Sequence, residues 1–438
     1  MHRALAAALA AAGTLAGVGT VAPPPLRAQA AAASPPPLTR ALTLTRAEAI
    51  DSALARNPAL AAAREQIVQA RARGTQATAL PDVDVTWGFS DEPRLFGLGG
   101  AGSHDLDVGW TLPFPDKIRL RGRVAGGDVA AARFTYLQLR QAIAAATAQT
   151  YDSLLVAEQH RRDLAETVGV ADTFLLRTQA RFDAGAVPKL DVIRARVDVA
   201  QARNDLLAAE RDVGTARAGL NRLLGRVLGA PLQAADTLAV PDTLPPLDLL
   251  ERQALARRPE LRSLAAQRRG ARAATALAQE YWLPDVGIGV GRTTGGGAPA
   301  TYSTSVGISV PLFFWQHQRG EVRESRHRER ELAASEQDLA LQVAQEVRVA
   351  YATAATALRQ AVYLRDELLP EAREAQRIAT VSYQLGRSSI LDVLDARRTL
   401  VAAQSQYADA LGAANDAVAQ LQLAVGAAVG KGASDEQQ

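Results

Sequence analysis

Cysteine is missing from all 438 residues, and methionine occurs once. That absence excludes disulfide scaffolds, thiolate metal sites, thiol catalysis and a lipid-modified amino-terminal Cys. Neither sign of charge dominates: 49 Lys and Arg face 46 Asp and Glu, too balanced for an evident nucleic-acid binder. Aromatic residues make up only 5%, so the places where they cluster carry information. Beyond the amino-terminal segment, nothing approaches the ~18–20 uninterrupted apolar residues of a spanning helix. Catalytic patterns are missing as well. There is no His-Glu-x-x-His helix, no Gly-x-Ser-x-Gly elbow and no phosphate loop ending in Lys-Ser or Lys-Thr. His317 and His327 stand ten apart at a helix start, which does not place two ligands on one face. We therefore expect no enzyme activity, no cofactor and no metal site.

The amino terminus reads as an export signal. His2-Arg3 supplies a positive start, an apolar stretch follows to about Ala22, and Ala28-Gln29-Ala30 offers small residues for cleavage. Residues 1–30 are thus expected to be a signal peptide and 31–41 a flexible segment. Export without Cys implies a protein that is not lipidated.

What the chain does contain is repetition. Asn57-Pro58-Ala59-Leu60 returns as Arg258-Pro259-Glu260-Leu261, and Leu80-Pro81-Asp82-Val83 as Leu283-Pro284-Asp285-Val286. Leu112-Pro113-Phe114 has its counterpart in Val310-Pro311-Leu312-Phe313. Arg181-Phe182-Asp183-Ala184-Gly185, followed by Leu190-Asp191-Val192, returns as Ser382-Tyr383-Gln384-Leu385-Gly386, followed by Leu391-Asp392-Val393. Four landmarks in the same order make one unit written twice. The layout is a first helix–hairpin–helix repeat at 42–224, a linker at 225–246, a second repeat at 247–429 and a disordered tail at 430–438.

Each half reads as helix, two strands, long helix, tight turn, helix. The stretches 116–182 and 316–383 are nearly free of Gly and Pro, and ~65 helical residues extend roughly 100 Å. Gly126-Gly127 and Pro370 interrupt them and mark candidate irregularities. Leu339, Val343, Val347, Ala350, Ala354 and Leu358 form a narrow stripe at steps of three and four, which suits a thin tube wall wet on both sides. The short strands alternate: Val83, Val85, Trp87 and Phe89 oppose Asp84, Thr86 and Gly88, and Val286, Ile288 and Val290 oppose Gly287, Gly289 and Gly291. One apolar face and one small or polar face match outer-membrane barrel strands. Trp87, Trp110, Trp282 and Trp315 all lie in or beside these strands, as interfacial girdles would. Four strands cannot close a barrel, eight fill their own interior, and twelve leave a conduit, which favours three chains. Acidic pairs such as Asp105/Asp107 are expected to line the lumen. The competing reading is a structural periplasmic coiled-coil protein without pore activity.

This combination resembles the TolC family of outer-membrane efflux factors. The residues that carry the likeness are the repeated Asn/Arg-Pro-x-Leu starts, the Leu-Pro-Asp-Val strand starts and the Gly hairpins before Leu-Asp-Val. The run from Val310 to Gly320 looks like the strand-to-helix segment of the heavy-metal efflux branch. The resemblance implies a mainly α fold with a small β part. Three chains would build a long α-barrel and a twelve-stranded transmembrane β-barrel, embedded in outer-membrane lipid with a long periplasmic part. The function so implied is an exit duct of a tripartite efflux or type I secretion system. It would be fed by a periplasmic adaptor and an inner-membrane pump of the resistance-nodulation-division or ABC type. Asp392 and Asp395 then match the periplasmic ring, and Tyr383 and Asp191 match residues that bridge neighbouring hairpins in the closed state. Gly185, Ala186, Gly386 and Arg387 occupy the tips where an adaptor docks. Arg387 stands one place earlier than the charged lock of the best-known pattern. Read from the chain alone, the two Asp equally suit the start of a helix, where negative charge complements the dipole.

Overall fold

The structure is a computed structural model that describes residues 42–90, 102–240, 244–295, 298–310 and 313–426. The expected signal peptide, the 31–41 segment and the 430–438 tail lie outside these residues.

The duplicated order is plain. The first repeat holds β1 (Leu42–Leu44), α1 (Arg46–Arg56), α2 (Pro58–Ala77), β2 (Asp84–Ser90), β3 (Ser103–Leu112), α3 (Pro115–Asp183) and α4 (Lys189–Leu223). After β4 (Leu232–Ala234), the second holds α5 (Leu247–Arg257), α6 (Pro259–Gln279), β5 (Asp285–Gly295), β6 (Ala298–Ser309), α7 (Phe314–Tyr363), α8 (Leu369–Gln384) and α9 (Ile390–Val425). With 69 residues, α3 alone runs roughly 100 Å.

Where the sequence reading has one opening helix per repeat, the chain folds two. Pro58 and Pro259 sit at the first turn of α2 and α6, where their missing N–H is harmless, and they end the helix before them. Asn57 accepts from the Ala59 N–H and donates to the Leu223 carbonyl at 2.9 Å, at the end of α4. Arg258, which gives α6 no side-chain cap, makes the equivalent clasp in the second repeat, donating to the Ala424 carbonyl at 3.1 Å, at the end of α9. The start of each repeat thus clasps the end of its own last helix. Gly225 completes the first clasp: its φ is +65°, and a Cβ there would lie 2.8 Å from the Arg56 carbonyl oxygen.

Within the 225–246 linker, β4 pairs in parallel with β1. The Tyr151 hydroxyl fastens this small sheet to α3, donating to the Leu44 carbonyl at 2.8 Å and accepting from the Asp236 N–H at 3.3 Å. Burial pushes that phenol up to about 12.

Of the two candidate irregularities, one is real. The backbone widens into a π turn at Leu364–Leu368 directly before Pro370, which relieves the clash between the proline ring and the carbonyl four residues earlier. Helix α3 runs straight through Gly126-Gly127 without interruption. Gly127 instead allows a close helix crossing, since a Cβ there would lie 2.9 Å from the Gly270 Cα of α6. The apolar stripe of α7 is buried as its spacing predicts, with Val343, Val347 and Ala354 packed against Leu411, Ala414 and Leu421 of α9.

Three tiers follow. The strands form one antiparallel sheet in the order β2-β3-β5-β6. Below it, helices pack in the row α2-α3-α6-α7, and further along the long helices the row is α4-α3-α9-α8.

The glycine pair gives a direct test. Gly127→Ala should destabilise by about 1–3 kcal/mol through overpacking. Gly126→Ala, with open space around its Cβ, should be neutral or stabilising by up to about 1 kcal/mol. Thermal unfolding of both variants checks this, and equal effects would refute the close crossing.

Candidate functional site

The sheet presents two chemically distinct faces. Val286, Ile288 and Val290 of β5 are exposed while the glycines between them are half-buried. Paired rows extend the apolar face across the strands: Val85, Val108 and Val290 lie opposite one another, as do Trp110, Ile288 and Val306. A higher row joins Trp87, Leu106, Arg292 and Tyr302, aromatics and a cation at one level. Trp87 is 69% exposed, and Trp282 and Trp315 at the strand bases are half-exposed. Trp110 donates its indole N–H to the Pro81 carbonyl at 2.9 Å. Trp282 precedes β5, whose eleven residues span ~36 Å, or ~25 Å along the normal of a strand tilted by ~45°, the height of a bilayer band.

The other face carries Gly, Ser, Thr and three carboxylates. Asp84, Asp105 and Asp107 lie on it, paired with Gly109, Thr293 and Gly291. Asp82 precedes β2 and belongs to no strand. At the foot of the sheet, Lys117 ties the two repeats, donating to the Leu283 carbonyl at 2.7 Å and to Asp285 at 2.9 Å.

Along the helices, the face turned away from the α1 side is grooved. Ala144, Ala148 and Tyr151 of α3 pack towards α1 and β1. Ala157, nine residues past Ala148 and so about half a turn round, lines a groove of about 530 Å³ between α4 and α9. Its polar lining is Ser153, His160, Asp205, Asp212, Asp409 and Asp416. His160 approaches Asp409 at 3.3 Å. Burial, with Asp152 nearby, raises the Asp416 carboxyl to about 6. No group of His, Asp or Glu among the described residues has the arrangement of a metal site.

The hairpin end is built from the repeated turns. Gly185 and Gly386 both have φ of +73°, and both close their helices with reciprocal backbone hydrogen bonds (Ala186 N–H to Arg181 O, Arg387 N–H to Ser382 O). Ala186 and Arg387 are exposed beside them. Asp392 is exposed and forms a capping box with Ser389, accepting from its N–H at 2.8 Å. Asp395, one turn on and on the same face, is exposed.

Tyr383 is buried. It packs with Phe174 at 5.6 Å between ring centres and lies under the Arg181 guanidinium at 4.8 Å. Burial, then the neighbouring Asp191 carboxylate, raises its phenol, whose oxygen meets no hydrogen-bond geometry. The structure therefore brings Tyr383 and Asp191 together within one chain and leaves Asp392 and Asp395 on the surface. Sequence reading missed the strongest contact here. Arg397 of α9 forms a short ion pair with Asp198 of α4, with side chains 7% and 14% exposed. Its guanidinium also covers the Phe174 ring at 5.1 Å. An apolar helix face interrupted by Arg was the available signal.

A sheet with one lipid-compatible face above a tube-wall row of helices defines an outer-membrane channel protein. The profile of the outer membrane efflux protein family matches residues 49–226 and again 250–427, so the chain belongs to that family. It is 24% identical over 288 residues to the cobalt-zinc-cadmium resistance protein CzcC of Cupriavidus metallidurans, covering 64% of this chain and 67% of that one. It is 24% identical over 400 residues to the pyoverdine export outer membrane protein OpmQ of Pseudomonas aeruginosa, covering 86% and 81%. The CmeC outer membrane channel of Campylobacter jejuni shares the fold, with a TM-score of 0.73 at 18% identity over 87% of this chain and 85% of that one. This is an outer-membrane efflux channel of the TolC type, mainly α, with its family unit present twice.

The raised carboxyl predicts a pH effect. Because Asp416 titrates higher in the fold than its ordinary 3.8, ionising it opposes folding, increasingly from 3.8 to about 6 and fully above. Asp416→Asn should stabilise the protein by about 1 kcal/mol at neutral pH, the gain fading as pH falls from about 6 and gone below 3.8. Unfolding curves across pH check this, and a gain that persists in acid would contradict it.

Proposed function

We propose that three copies assemble into one continuous exit duct across the outer membrane and periplasm. One observation carries this reading: every tier is an open row of four elements, with first-repeat elements (β2, α2, α4) at one edge and second-repeat elements (β6, α7, α8) at the other. Such an interface is head-to-tail and must close into a ring. Strand β2 is antiparallel to β6, so closure continues the alternation, and lipid forbids leaving either edge bare. The helical edges carry matching apolar stripes: Leu190, Ile193 and Val197 on α4, and Ile378 and Val381 on α8 with Leu385 at its C-cap, all exposed in the single chain. Twelve strands leave a lumen where eight would be filled by side chains. These edges argue against a coiled-coil protein without a pore.

The duct works passively. A periplasmic adaptor grips the tips around Gly185, Ala186, Gly386 and Arg387, and an inner-membrane pump drives the cargo. Relatives named for metal resistance and for pyoverdine export share the frame, so we assign cargo choice to the pump and no catalysis to this chain. Three copies of Asp395 and Asp392 around the axis form the acidic constriction, with Tyr383 and Asp191 holding the hairpins shut. Asp395 is the freer of the two, since Asp392 also caps α9.

Detergent-extracted protein should have three times the monomer mass by light scattering and conduct ions in planar bilayers. A water-soluble monomer would overturn the duct. Replacing Asp392 and Asp395 together with Ala should raise conductance or weaken block by divalent cations, and unchanged currents would remove them from the constriction.

A further inference from the structure

Where α3 crosses α6, just under the sheet, a second groove of about 410 Å³ has no part in the duct. Gly127, Ala130, Ala266 and Ala273 give it a floor without long side chains, and Arg123, Arg269 and Arg272 stand around it. Of the three, Arg272 has a carboxylate partner, Glu329 of α7 at 2.6 Å. Arg123 and Arg269 are exposed and form no ion pair among the described residues. Cations around an open floor suit an anion, and the place of the groove narrows the choice.

The groove opens on the outer side of the wall. Asp285 alternates with Val286 and so shares the face of Gly287 and Gly289, the one turned from lipid. Lys117 reaches Asp285 at 2.9 Å, which fixes that side of α3 as the inner one. Gly126 comes nine residues after Lys117, about two and a half turns, and so faces outward. Gly126 and Ala130 also precede Ala144 and Ala148 by eighteen residues, about five turns, which puts the groove on the side of α1. Because α3 and α6 are the inner two helices of their row, contact between copies leaves it uncovered.

Its height matches the membrane border. Trp282 and Trp315 mark the base of the sheet, and the polar layer beyond the hydrocarbon is about 5–8 Å deep. Arg123 stands eight residues past Pro115, about 12 Å along the axis, and helical side chains lean toward the amino end, here toward the membrane. Basic pockets between helices at such a border hold anionic headgroups. We propose that this groove binds the phosphodiester headgroup of an anionic phospholipid in the periplasmic leaflet, anchoring the channel just below its barrel.

The duplicated architecture does not produce the groove by itself. Aligning Pro113 on Pro311 puts Glu321 at the position of Arg123, and aligning Pro58 on Pro259 puts Val68 at that of Arg269. The charge is therefore particular to the α3–α6 crossing, one groove to each chain, whatever the number of copies.

The test titrates detergent-solubilised channel with phosphatidylglycerol or phosphatidylcholine and reads retained lipid by native mass spectrometry. Phosphatidylcholine shares the phosphodiester but adds a cation that the arginines repel. The unmodified channel should retain phosphatidylglycerol preferentially, about one per chain. Arg123→Gln with Arg269→Gln should weaken that binding roughly 30-fold, and either exchange alone roughly fivefold. Arg71→Gln, which removes an exposed arginine of α2 outside the groove, should leave it unchanged. Equal retention of the two lipids, or a double variant that binds as the unmodified channel does, would overturn the proposal. Inorganic phosphate separates the sources: if it raises the unfolding midpoint as much as phosphatidylglycerol does, the groove serves a soluble anion and the lipid is refuted. Should the double variant fail to assemble, the single exchanges decide.

Discussion

An unpaired strand edge cannot lie in hydrocarbon, because each bare N–H and C=O there is several kcal/mol less stable than in water. The rest of this molecule follows from that constraint. Four strands leave two bare edges, so one chain is incomplete as a membrane protein. In the proposed assembly the edges meet those of other copies, and the helices continuing from the strands are then committed to the same ring. The open helical rows below repeat the problem at lower stakes, since water can satisfy a helix surface but not an apolar stripe.

The helical wall solves a different problem, that of being one layer thick over a long distance. A single layer has no interior, so each helix can bury only a narrow stripe against its neighbours. The abundance of Ala and the Gly127–Gly270 crossing answer this by bringing backbones close instead of building a thick core. The small sheet of β1 and β4, with α1 and α5, thickens the wall on one side only, where Tyr151 and the Leu44 carbonyl pin it. The opposite side stays polar and grooved.

Much of this was legible beforehand, and physical range explains which parts. Duplication, strand alternation and the stripe on α7 are periodic, so they show in any window of the chain. The glycine turns at Gly185 and Gly386 are local and need no partner to be read. Contacts between distant residues without period were not legible. Asn57 reaching Leu223, Arg258 reaching Ala424 and Arg397 pairing with Asp198 each join positions far apart in the chain. Gly126-Gly127 is a candidate irregularity in the sequence but lies in unbroken helix, because lack of a side chain weakens a helix and equally admits a neighbour, and only the neighbour's position decides between them. Tyr383, placed from the resemblance, proved to be buried against Phe174 of its own chain.

The π turn at Leu364–Leu368 acts over a distance. Upstream, the buried seam of this hairpin arm falls on Val347, Ala354 and Ala361; downstream it falls on Leu369 and Tyr383. The first set keeps a strict seven-residue step, and Leu369 arrives one residue late. One residue corresponds to about 100° of rotation about the helix axis. The widened turn absorbs that surplus, and without it Tyr383 would face away from Phe174 and Asp191. The aim of a side chain near the periplasmic tip is therefore set several turns away, by a phase correction written next to Pro370.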